Sequence, residues 1–447
     1  MDVFIALLGF FSLGLIVWLL FKDYTTPALA FISVSLGVAV VLLILQNFGF
    51  EVGKALNVKG GVYDISTLVN FVKDGVKSVV DTAALFVFSI LFFSVLNASG
   101  FFTKILNAFL SKMKASVYQV CVLTVFIAAV VHLDGSGAST FLIIIPALLP
   151  IYEKLGMQRS SLLLISGMAM GIMNVIPWGG PTLRAASNIG MDPNLLWHQI
   201  MPIQFVGLVL SLITAIWVAR IEVKRGAGGN LEGVNLGIEK GEYHNEKFFW
   251  VNLVILLCVI ALLVSGIIPS YLCFMIGLCI VLPLNYPDFK TAKKILERES
   301  SSAMLMYVTL IGAGILIGIF DKGGIMAKMG TLILDFIPNS MGAYIPFIVG
   351  LLAAPMAIIF CTDSYFYGVM PVVLSVTKAF GVDPVSVAII MVVARNCTTF
   401  MSPVVPAALL GCGLARVNIK DHIKRSFFYY WAFSVLCLIF AKLSGIV

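Results

Sequence analysis

The chain has 447 residues, of which 60% are apolar and only 11% charged, with a formal charge of +7. No water-soluble domain needs so little polar surface, so a soluble protein is excluded and an all-α polytopic membrane protein is predicted. The basic residues gather near predicted helix ends and in loops, as at Lys290, Lys293 and Lys294, which reads as membrane-flanking charge and not as a nucleic-acid surface.

A hydrocarbon core of roughly 30 Å takes about 20 apolar residues per helix, and such runs predict spans near 2–21, 27–49 and 80–98. The first lacks a basic leader and a small-residue cleavage site and reads as a retained span. A shorter amphipathic segment follows near 101–113. The next apolar run, 115–131, stops at the polar stretch His132 to Thr140 and resumes from 141 to about 156. Two short apolar arms around a polar, glycine-containing tip predict a re-entrant hairpin, because irregular backbone at membrane depth survives only where protein encloses it. A helix from Ser160 is interrupted between Asn174 and Pro181, where Pro177, Gly179, Gly180 and Pro181 favour an unwound segment. A span near 195–219 closes the half.

The polar stretch Ile221 to Lys247 divides the chain almost at its centre and reads as a linker. Beyond it the same parts recur: spans near 248–266, 268–284 and 301–320, a segment near 323–337, and an apolar run 342–360 broken at 361–365. A returning arm ends at Gly381, a helix runs to Arg395 and breaks over 396–403, and a last span covers about 425–444. Spacing repeats too. Pro146 stands ten residues before Gly156, as Pro371 does before Gly381, and Asn174 stands seven before Pro181, as Asn396 does before Pro403. If the hairpins do not cross, each half makes five crossings, and an odd number inverts the second repeat. Inverted repeats with paired broken helices are the architecture of alternating-access carriers.

The breaks carry the chemistry. Unwinding frees carbonyls for a cation, while the following half-helix turns N–H groups and its positive dipole end toward an anion. Arg184, one turn past Gly179-Gly180-Pro181, is an expensive intramembrane charge whose planar fork suits a carboxylate; otherwise it is a helix-end arginine snorkelling to the interface. Arg395, beside Asn396, is of the same kind. Asp134 and Asp363 lie at the hairpin tips, where a buried carboxylate must be paired, metal-bound or protonated, so they are candidates for proton or cation coupling; helix capping is the alternative. His132 could relay protons or be a hydrogen-bonded core histidine. Ser139, Thr140, Thr182, Ser364, Thr398, Thr399 and Ser402 supply hydroxyls clustered at the breaks. The eight cysteines show no CxxC spacing or Cys/His cluster and read as small core residues.

The runs LDGSGASTFLIIIPALLPIYEKLGM, GIMNVIPWGGPTLRAAS, DSYFYGVMPVV and SPVVPAALLGCGLARVNIKDH resemble the citrate-metal:proton symporter family of the ion transporter superfamily, over nearly the whole chain. The resemblance implies a bacterial inner-membrane symporter, driven by protons, for citrate complexed with a divalent metal. It also implies a homodimer of the elevator type. Scaffold helices would then occupy 1–114 and 248–341, and transport units of hairpin and broken helix 115–194 and 342–416. Closing helices would occupy 195–220 and 417–447, with the linker over 221–247. Carried over by residue, it puts substrate and ion contacts at Asp134, Gly135, Gly137, Ser139, Thr140, Asn174, Gly179, Gly180, Pro181, Thr182, Arg184, Asp363, Asn396, Ser402 and Pro403. Ser136 stands where the family pattern commonly has a second acid, which leaves metal preference and dependence open. No resident cofactor is implied; the expected partners are a small-molecule anion, H⁺ or Na⁺ as coupling ion, the lipid bilayer and a second copy. A sodium-coupled carboxylate carrier, an antiporter of the same superfamily and, more distantly, an ion channel remain alternatives. An enzyme is disfavoured because no HExxH, paired catalytic acids or nucleophile motif appears among the spans.

Overall fold

In lipid every backbone polar group must be satisfied within its own segment, and the apolar runs of this chain do so as helices. The computed structural model describes all residues except 23, 59, 111–115, 230–242, 244 and 335–338, and contains twenty α-helices and no strand among those described. Among the described residues nine helical stretches are long and apolar enough to cross a membrane, ten if one bent pair counts as a span. Large apolar side chains such as Phe11, Phe205, Trp217 and Trp250 lie exposed along them, as lipid-facing residues must.

The first repeat begins with α1 (Asp2–Phe21), α2 (Pro27–Asn47), the single turn α3 (Val52–Ala55), α4 (Ile65–Ala98) and α5 (Phe101–Leu110). Hairpin 1 is α6 (Val117–Val131) and α7 (Gly137–Lys154). Broken helix 1 is α8 (Arg159–Met173) and α9 (Gly180–Ile189), and α10 (Pro193–Lys224) closes the repeat. The second repeats the order with α11 (Phe249–Ser265), α12 (Ser270–Asn285), α13 (Phe289–Ile317) and α14 (Ile325–Leu334). Hairpin 2 is α15 (Ile345–Leu351), α16 (Ala353–Ile359) and α17 (Met370–Ala379). Broken helix 2 is α18 (Pro384–Thr398) and α19 (Pro406–Leu414), and α20 (Ile419–Leu443) ends the chain. Gly156 and Gly381, which end the returning hairpin arms, take φ of +68° and +72°, a backbone that favours glycine.

The equivalent helices α4 and α13 show the inversion directly. A Cβ on Gly75 would overlap the Gly314 carbonyl, one on Gly314 would meet Val79, and one on Gly318 would overlap the Phe71 carbonyl. As the number rises along α4 it falls along α13, so the two run antiparallel at backbone contact, the packing small residues permit in membranes. Their caps match as well. Asp64 accepts the Thr67 N–H at 2.8 Å and Asp288 the Thr291 N–H at 2.9 Å. Those bonds, helped by the threonine hydroxyls, hold both exposed carboxyls below the usual carboxylate range.

Several boundaries differ from the sequence reading. Helices α4 and α13 begin at Ile65 and Phe289, well before the expected 80 and 301, because their first turns carry charges that interrupt the apolar run without breaking the helix. Lys290, Lys293 and Lys294 lie in the first two turns of α13, at a helix end. The outward arm of hairpin 2 is not one rod: it bends by 55° between α15 and α16. Helix α18 continues past Arg395 to Thr398 and α20 starts at Ile419. Helix α10 extends to Lys224, and most of the expected linker lies outside the described residues.

Three apolar cores result. One unites both hairpins, both broken helices, α10 and α20. A second joins α1, α2, α13 and α14 with part of α4 and with Tyr367 of hairpin 2, and a third joins α4, α5, α11 and α12 with Met173, Ile176, Trp178 and Leu183 of broken helix 1. The closing helices thus pack with the hairpins, Tyr430 of α20 donating to the Leu163 and Leu164 carbonyls of α8.

Candidate functional site

Break 1 opens where Asn174 ends α8 and closes where Gly180 and Pro181 start α9. A Cβ at Gly179 would overlap the Asn174 carbonyl, so the turn requires glycine. Inside it, the Thr182 hydroxyl donates to the Val175 carbonyl at 2.9 Å. Break 2 follows α18 as a 3-10 turn, Thr399–Met401, and Ser402 donates its hydroxyl to the Ala357 carbonyl of hairpin 2.

Each break holds both hairpins. Trp178 donates its indole N–H to the Leu133 carbonyl at 2.7 Å, and the ring of Phe400 packs edge-on against His132 and Phe141, so both breaks hold hairpin 1. At hairpin 2, Arg184 Nε donates to Asp363 Oδ1 at 2.7 Å, Asn188 donates to the Phe366 carbonyl at 2.8 Å, and Arg395 donates to the Phe360 carbonyl at 3.2 Å. The two breaks meet through Asn174 Nδ2 and Asn396 Oδ1 at 3.0 Å.

At the tip of hairpin 1, Asp134 accepts the Ser136 N–H at 2.8 Å, Gly135 takes φ of +70°, and Ser136 caps α7 by accepting the Ser139 N–H at 3.3 Å. The Thr140 hydroxyl donates to the Ser136 carbonyl at 2.7 Å, so His132 Nδ1, 2.8 Å from the Thr140 hydroxyl oxygen, donates to that oxygen. The Nε2 of His132 then carries a lone pair, buried and without a partner, as the Ser139 hydroxyl also is. Gly137, the first residue of α7, packs against Phe400. Asp134, Ser136 and Ser139 line a cavity of about 400 Å³ together with Ser94 and Asn97 of α4 and Arg298 of α13.

The tip of hairpin 2 is drier. Arg184 is 6% exposed and Ser364 buried, with the Ser364 N–H and hydroxyl against Cys361 Sγ. Thr399 and Ser402 are likewise buried and hydrogen-bonded, whereas Pro403 is half-buried beyond the 3-10 turn. The sequence-predicted residues therefore divide between the tips. Asp134, Gly135, Gly137, Ser139, Thr140 and His132 sit at hairpin 1, while Arg184, Asp363 and Ser364 sit at hairpin 2. The Asn174–Asn396 pair bridges the two breaks. Sequence reasoning missed Trp178, Asn188 and Arg298 as site residues. Asn188 follows Arg184 by four, one helical turn, which a facing argument would have found; Arg298 fell before the expected start of its span.

Two inverted repeats, each with a re-entrant hairpin and a broken helix enclosing buried polar groups, define a multi-pass membrane transporter. The chain belongs to the citrate transporter family (CitMHS), whose sequence profile matches residues 13–394. Among its relatives is the Mg(2+)/citrate complex secondary transporter of Bacillus subtilis (strain 168), 31% identical over 437 residues, 96% of this chain and 95% of that protein. A citrate transporter of the same organism is 26% identical over 444 residues, 99% of each. The fold resembles the Alcanivorax borkumensis YdaH transporter, with a TM-score of 0.62, 14% identity and coverage of 94% of this chain and 99% of that one. It also resembles Neisseria gonorrhoeae MtrF, with a TM-score of 0.66, 14% identity and coverage of 92% and 94%.

Proposed function

We propose that the protein is a symporter importing citrate or a related di- or tricarboxylate, as a divalent-metal complex and with protons, across a bacterial inner membrane. The observation that carries the reading is Arg184: a guanidinium 6% exposed, behind a glycine-proline break and held by the single carboxylate of Asp363. A carboxylate of the substrate competes for that same fork. Displaced from it, Asp363 loses its cationic partner, which links substrate binding to the hold of break 1 on hairpin 2. The name of the 31% identical relative supports a metal-citrate substrate. Citrate itself chelates a divalent cation through its carboxylates and hydroxyl, and such a complex is the substrate proposed here. The core shared by the hairpins, broken helices, α10 and α20 supports their moving as one body against the other helices in an elevator cycle, and a homodimer is part of the same proposal.

Uptake of labelled citrate into proteoliposomes, with and without Mg²⁺ and under an imposed proton or sodium gradient, tests this. Metal-dependent accumulation under the proton gradient is expected. Accumulation driven by sodium alone would instead support a cation site around Ser139, Asn174, Asn396 and Thr399.

A further inference from the structure

The tip of hairpin 2 lies between two buried guanidiniums but supplies one carboxylate. Asp363 is taken by Arg184. Arg395, in the last turns of α18, is 0% exposed, and among the described residues no carboxylate pairs with it. Its Nη1 donates to the Thr399 hydroxyl at 3.1 Å and its Nη2 to the Phe360 carbonyl at 3.2 Å, while its Nε has no partner. The guanidinium carbon lies 5.8 Å from the centre of the Tyr365 ring, whose hydroxyl is also buried and unpartnered. Arginine stays protonated in proteins, and a buried charge facing only neutral acceptors is costly to retain.

The free group has a specific geometry. The Nε–H and one Nη2–H lie along a single edge of the guanidinium, the edge a carboxylate takes with two parallel bonds. Here its Nε–H is idle, while Nη2 donates to a hairpin carbonyl. Repeat 1 has nothing equivalent: Asn174, the counterpart of Asn396, follows Met173. The first repeat therefore reaches hairpin 2 with Arg184 from beyond its break, and the second with Arg395 from before its own.

We propose that Arg395 is the second carboxylate-holding residue of the site. When hairpin 2 lifts, the Phe360 carbonyl leaves Nη2, and one carboxylate of the transported anion bonds the Nε–Nη2 edge while another engages Arg184. The proposal rests on the anion-transport reading above. It makes hairpin 2 the element whose tip is exchanged for substrate, and Arg395 a determinant of how many carboxylates the substrate must carry.

The test compares wild type, Arg395→Gln and Arg395→Lys in proteoliposomes, measuring half-saturation for Mg²⁺-citrate and for a citrate amide lacking one carboxylate. Wild type is expected to prefer citrate. Arg395→Gln should lose affinity for citrate by about tenfold or more and accept both ligands nearly alike. Arg395→Lys, which keeps the charge without the two-point edge, should fall between them; it also reads the same ratio if the Gln variant does not fold. A brace between Phe360 and Thr399 would weaken both ligands in equal proportion, and that result overturns the proposal, as does unchanged citrate affinity in Arg395→Gln. Wild-type protein that takes up no citrate under any gradient would overturn the anion-transport reading itself.

Discussion

Asn174 and Asn396, 222 residues apart in the chain and equivalent in the two repeats, bond side chain to side chain at 3.0 Å. The contact lies where α8 and α18 cross so closely that a Cβ on Gly171 would stand 2.6 Å from the Asn396 carbonyl oxygen. It is the polar seam between two breaks that must otherwise stay unwound. Asn396 is 0% exposed and its Nδ2 has no partner, so Asn174→Ala leaves the whole Asn396 amide unmet, at about 1–3 kcal/mol. Asn396→Ala should cost less, because Asn174 is 7% exposed where Asn396 is 0%. Melting temperatures of both single variants and the double variant in detergent check this. Strictly additive losses would mean that the two amides do not cooperate.

The scaffold prediction concerns backbone contact. Gly75→Ala pushes a methyl into the Gly314 carbonyl and within 2.6 Å of Gly318 Cα, with no flexible side chain able to yield. A loss of roughly 1–3 kcal/mol is expected. Gly14→Ala and Gly37→Ala, where nothing lies within 4 Å, should be neutral or slightly stabilising, since alanine favours helix. Equal melting points for all three variants would contradict the antiparallel seam.

A third prediction concerns Glu222, a 0% exposed carboxylate near the end of α10. It accepts the Ser161 hydroxyl at 2.6 Å and the Gln158 N–H at 3.2 Å, and faces Arg225 at 3.1 Å and Arg425 of α20 at 3.7 Å. These contacts tie the start of α8 to α10 and α20, so Glu222→Ala should cost roughly 1–3 kcal/mol by stranding buried donors. The side chains of Arg225 and Arg425, 46% and 25% exposed, keep contact with their surroundings outside the protein when the carboxylate is lost. Half-saturation for the transported anion should not change in the folded fraction. A shift in it with stability intact would move Glu222 from brace to site.

The order of elements, the repeat and the polar tips were legible because polar and glycine-proline interruptions stand out sharply against apolar runs. Residues 132–140 and 174–181 fall within a few positions of the observed tip and break. Helix starts were not, because a membrane helix continues into charged turns that hydropathy treats as its end, as at Ile65 and Phe289. Nor did an apolar run betray the bend between α15 and α16. Arg184 and Asp363 were both legible as costly charges, but their bond to each other was not, since spacing within one repeat says nothing about which tip folds over which break.

That bond fixes the last prediction, which asks whether Asp363 competes with substrate for Arg184. If it does, Asp363→Asn removes the competitor while leaving the guanidinium, so anion binding and counterflow should tighten by about tenfold. Arg184→Ala should abolish uptake, with Arg184→Lys restoring little, because a point charge lacks the planar fork. Asp134→Asn is the comparison: its carboxylate bonds the Ser136 N–H and lines the cavity at the other tip, so it cannot be displaced from Arg184. Binding, counterflow and net uptake of Mg²⁺-citrate across a pH series separate the cases. Weaker or unchanged binding in Asp363→Asn would rule out the competition. Lost accumulation in Asp134→Asn with binding preserved would assign coupling to the wet tip of hairpin 1.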